Sequence, residues 1–75
     1  MDIADVLIHV PRNFSGEQRT EIETDLSGCD GVLSVHFSRT IPHAVLVAYR
    51  PEAIRLGAIL ERVREQDPAA TMVGW

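Results

Sequence analysis

Three histidines, one cysteine and one arginine-led loop carry most of the chemistry this sequence could offer. His9, His36 and His43 bear imidazoles, which ligate zinc and nickel. No acid or cysteine stands at ligand spacing beside them, and a structural zinc site takes four ligands. Ordinary sheet-surface histidines are the plainer account. Cys29 is the only thiol, and a lone buried or half-buried cysteine is more often structural than reactive. The loop Arg12-Asn13-Phe14-Ser15-Gly16 leads into a helix amino terminus, where free backbone N–H groups can receive an anion. Arg12 would add charge, Asn13 a hydrogen bond, and Ser15 and Gly16 the turn itself. The competing account is a capped helix with Phe14 packed on its neighbours, and Glu17 already places an acid there. No Ser/His/Asp or Cys/His pairing is spaced to furnish a nucleophile, so a non-catalytic protein is expected.

The elements that must position these groups follow from periodicity. Ala4 to Val10 alternates as a strand, with Val6, Ile8 and Val10 on one face and Asp5, Leu7 and His9 on the other. Pro11 ends it. Ser15-Gly16-Glu17-Gln18 fits the Ser-x-x-Gln capping box and opens a helix to about Ser27, with Ile22 and Leu26 inward and Gly28 as its stop. Val32 to Arg39 and His43 to Arg50 predict two further strands joined across Thr40-Ile41-Pro42. A second helix is predicted over roughly Glu52 to Gln66, its apolar stripe being Leu56, Ile59, Leu60 and Val63. Asp67-Pro68 stops it, and Ala70 to Trp75 reads as a last short strand.

That order, β-α-β-β-α-β, predicts an α+β ferredoxin-like sandwich: a four-stranded antiparallel sheet with both helices on one face. The 75 residues make a single domain, 1–75, without room for a second. Such a chain buries only about 60% of its unfolded surface. One cysteine allows no internal disulfide and fits a reducing compartment. The opening Met-Asp-Ile-Ala-Asp lacks the basic start of a signal peptide, and no apolar run approaches a membrane span. A cytoplasmic protein without membrane contact is expected. With 7 basic against 11 acidic residues, a net charge of −4 and a pI near 5.1, nucleic acid is a poor partner. The sequence also lacks an aromatic-rich strand that could stack bases.

Several stretches together resemble a heavy-metal-associated domain, the fold of small copper chaperones and of the amino-terminal modules of copper ATPases. Ile22-Glu23-Thr24-Asp25-Leu26 is similar to the family's first helix, and Gly31-Val32-Leu33-Ser34-Val35-His36-Phe37 to its second strand. Ala44 to Pro51 resembles its third strand, and Ile59-Leu60-Glu61 its last helix. The resemblance implies a Met-x-Cys-x-x-Cys metal loop, whose positions fall on Asn13, Ser15 and Gln18. Neither thiolate is present, and Cu(I) wants soft sulfur ligands. Cys29 cannot substitute, because about 12 helical residues put it roughly 18 Å away. What the resemblance leaves is the fold and a habit of docking to other small domains.

Function is therefore expected to lie in protein contact, with no cofactor. The sheet face away from the helices should present Leu7, His9, His36, Ala44, Leu46 and Ala48, an apolar centre with a polar edge. Another protein, or a second copy in a homodimer, is the expected partner there. One alternative is a metal chaperone using His9, His36 and His43, although an intervening strand separates His9 from His36 by about 9–10 Å. Another is a small anion-binding or acylphosphatase-like domain built on Arg12, Asn13, Ser15 and Gly16, although that family's glycine-rich cradle is absent. An ACT-like ligand-binding dimer shares the topology, but the sequence holds no matching ligand motif.

Overall fold

A computed structural model describes residues 2–73. Its elements are β1 (Ala4–His9), α1 (Gly16–Ser27), β2 (Val32–Phe37), β3 (Ala44–Tyr49), α2 (Leu56–Gln66) and β4 (Thr71–Val73). The strands form one antiparallel sheet in the order β2-β3-β1-β4. This is the expected ferredoxin-like α+β arrangement.

Alternation along the strands divides the sheet into two faces. On one, Ile8, Val45 and Val47 meet Ile22 and Leu26 of α1 and Ile59 and Val63 of α2 in a single core. Each such side chain contributes about 1.5–3 kcal/mol on burial. The register Leu46↔Leu7↔Val73 places these three in one row across the opposite face, with His36 beside Leu46.

Several boundaries differ from the sequence expectation, each for a local reason. β2 ends at Phe37 because the Ser38 hydroxyl accepts from the N–H of Thr40 and of Ile41, turning the chain early. β3 starts at Ala44, because His43 is left-handed (φ 58) and cannot extend the strand. β1 stops at His9, although Val10 still donates to the His43 carbonyl at 2.8 Å.

The second helix begins four residues later than its expected start at Glu52. Ala53 and Ile54 donate to the Arg50 carbonyl in a separate turn, and Arg55 is extended (φ −84, ψ 144). The helix starts where its apolar stripe starts, at Leu56. Gly28 does cap α1, but in the right-handed region (φ −77); among the described residues the left-handed glycine is Gly31 (φ 93). β4 is shorter than expected, and the part of that expectation covering Gly74 and Trp75 lies outside the described residues. No described helix is long and apolar enough to cross a membrane.

Candidate functional site

The loop between β1 and α1 is built around two clasps. In the first, the Ser15 hydroxyl accepts from the Gln18 N–H (3.2 Å) while Gln18 Oε1 accepts from the Ser15 N–H (2.9 Å). Two of the donors left free at a helix start are thereby satisfied. In the second, the carboxylate of Asp67, only 5% exposed, accepts from the backbone N–H of Arg12 (2.9 Å) and of Ala69 (3.0 Å). The Arg12 guanidinium then donates through Nη1 to the Gln66 carbonyl at 3.1 Å. This is a cation at a helix carboxyl end, where the helix dipole favours one. Loop, helix end and the approach to β4 are held together.

Above the second clasp, the loop, α1 and the β2–β3 hairpin enclose a half-open cleft of about 490 Å³, within the range of small-ligand pockets. Phe14 and Phe37 meet edge to face in its wall, with centroids 6.4 Å apart. A guanidinium lies over each ring: Arg12 over Phe14 at 5.4 Å and Arg19 over Phe37 at 5.7 Å. These separations are those of cation–π contacts. Arg39 and His43 line the cleft from the hairpin. Its one carboxylate among the described residues, that of Glu23, accepts from the Phe37 N–H at 2.9 Å. Among the described residues the ion pairs are those of Arg62 with Asp25 and Glu65. None of the three cleft guanidiniums is neutralised, among the described residues, by a direct ion pair of that kind.

Of the sequence candidates for an anion, Arg12 faces this cleft, whereas Ser15 is engaged in the helix cap, Asn13 is exposed in the loop and Gly16 is exposed as the first residue of α1. Arg19, Arg39 and Phe37 were not among the candidates. Their sequence separation hides them, since only the fold brings positions 12, 19 and 39 to one place. A usable signal existed all the same: all seven basic residues are arginine, the side chain suited to forked recognition of oxyanions.

The histidines divide. His9 and His43 meet edge to face, with ring centroids 6.3 Å apart, while His36 stands beside Leu46 on β2. No described group of three or more His, Cys, Asp or Glu side chains is gathered closely enough to hold a metal ion. Cys29 is half-buried just beyond the far end of α1, its Sγ 3.8 Å from the Asp25 carbonyl. On the open face, Leu7 (6% exposed) and Ala44 are buried, Leu46 and Ala48 are half-buried, and His9 and His36 are exposed. A shallow groove of about 350 Å³ runs past Asp5, Ser34, His36, Leu46 and Ala48, again of small-pocket size.

No family model matches the chain, and no curated protein does either. Solved structures do. A copper-binding domain from HMA7, a P-type ATPase, is 15% identical, with a TM-score of 0.76 over 93% of this chain and 93% of its own. The metallochaperone CsoZ is 22% identical, with a TM-score of 0.74 over 97% of this chain and 100% of its own. What the three share is the fold, in agreement with the resemblance to heavy-metal-associated domains.

Proposed function

We propose that this chain is a non-catalytic binding module on a heavy-metal-associated-type fold, working through protein contact rather than a thiolate metal site. The observation that carries the proposal is the reciprocal cap of Ser15 and Gln18. At the two positions where the resembling family places its cysteines, this chain has oxygen-bearing side chains committed to holding a helix end. One similar structure is a copper-binding domain and the other a metallochaperone, so the fold is one on which metal handling occurs. Here the sulfur ligands that soft Cu(I) needs are missing from the sequence at that loop.

The contact surface proposed is the open sheet face, centred on the row Leu46–Leu7–Val73. Val73 is exposed and Leu46 half-buried, and His36 and Ser34 supply a polar rim of the kind that borders a protein interface. A second copy of the chain is the simplest occupant, because most soluble homo-oligomers are twofold dimers; a different protein is the other. A cytoplasmic setting belongs to the same proposal. A second reading, a metal chaperone with a histidine site, draws on the contact between His9 and His43.

Light scattering across a concentration series tests the self-contact. Association is expected in the parent chain and its loss in Leu46→Asp. A strict monomer at high concentration would remove the dimer, and partner capture unaffected by Leu46→Asp would remove the face.

A further inference from the structure

We propose that the cleft between the β1–α1 loop, α1 and the β2–β3 hairpin is a binding site for a small oxyanion carrying two negative charges. Phosphate monoesters and dicarboxylates share that chemistry. The site is separate from the open-face row, and the inference does not depend on protein contact there.

Charge placement is the first ground. The chain is net −4, yet three of its arginines line this one cleft against a single carboxylate. Counting formal charges on Arg12, Arg19, Arg39 and Glu23 leaves +2, which a dianion balances. Glu23 is also turned to other work, since its Oε2 accepts from the Phe37 backbone. Arg12, Arg19 and Arg39 are themselves exposed, and their combined positive potential around the recess attracts an anion to it.

Preorganisation is the second ground. Arg12 and Arg19 each lie over an aromatic ring, and the two rings are themselves packed edge to face. Stacking occupies the flat face of a guanidinium and leaves its in-plane N–H groups available. Arg12 commits Nη1 to Gln66 and has further donors. The contacts Arg12–Phe14, Phe14–Phe37 and Phe37–Arg19 thus tether two forked donors at one recess, and Arg39 lines it from the hairpin. Less side-chain freedom remains to be lost on binding than for arginines waving in water.

Size is the third. About 490 Å³ suits a small molecule rather than a macromolecular segment.

The test is isothermal titration of the full chain, alongside backbone-amide spectra, with three probes: inorganic phosphate, succinate, and sodium chloride at matched ionic strength. Saturable binding of phosphate or succinate is expected, with amide shifts confined to residues 12–19 and 37–43. Phosphate alone would assign phosphate monoesters, and succinate alone dicarboxylates. The double variant Arg19→Gln/Arg39→Gln should bind at least about tenfold more weakly, since charge-assisted hydrogen bonds are the strong ones. Its amide spectrum reports that it is folded. Arg55→Gln, outside the cleft, and Leu46→Asp, on the open face, should both bind as the parent does. Shifts spread across the molecule and reproduced by chloride would overturn the proposal, as would unchanged affinity in the folded double variant.

Discussion

A methyl group at position 31 has no space to occupy. Gly31 is left-handed (φ +93), and a Cβ there would lie 2.9 Å from Ala53 Cβ and from Ile54 Cγ2. Both the backbone strain and the overlap oppose any side chain. Gly31→Ala should therefore cost about 1–3 kcal/mol, read as a lower urea midpoint at unchanged slope. A loss under about 0.5 kcal/mol, the range of an ordinary surface change, would refute the close approach. The Asp30-Gly31 pair reads as a turn in the sequence, so the residue was legible. The reason for it was not, because Ile54 meets it only once the turn after β3 is in place. The same limit hid Arg19 and Arg39: a lone arginine on a helix and another in a hairpin carry no pattern until tertiary structure joins them.

At the scale of elements, what is local was readable and what is cooperative was less so. The capping box of α1 needs only four consecutive residues, and both of its hydrogen bonds form. Ser15→Ala should cost about 0.5–2 kcal/mol, while Ser15→Asp, another good cap, should stay within a few tenths. Chemical denaturation of the two variants decides this, and equal losses in both would mean the hydroxyl does something other than cap. The start of α2 was misplaced because Glu52 and Ala53 suit a helix by propensity, yet the N–H groups of Ala53 and Ile54 close a turn on Arg50 instead. The irregular register between Val32 and Ser34 leaves Leu33 exposed. Alternation alone could not give that, since a bulge adds one residue to one strand without a sequence signature.

The molecule as a whole shares its fold with a copper-binding domain of a P-type ATPase and with a metallochaperone. The layer arrangement and the core were legible because they follow from the succession of periods along the chain, and the sheet order followed from the usual order of that fold. The arginine cleft was not, because it is assembled from two loops and a helix. One consequence for metal is direct: competition against a Cu(I) chelator should find no tight one-to-one complex. A one-to-one complex that survives Cys29→Ser would contradict the proposal, and its loss in His9→Ala would transfer the site to the histidines. Asp67 has a different consequence. Its carboxylate joins Arg12 to Ala69, and Arg12 holds Gln66, so the cleft wall and the root of β4 are one hydrogen-bonded piece. Thermodynamic linkage then runs both ways with the same coupling free energy. An anion that steadies Arg12 slows solvent exchange at the amides of Thr71–Val73, and fraying of that last strand loosens the anion by the same factor.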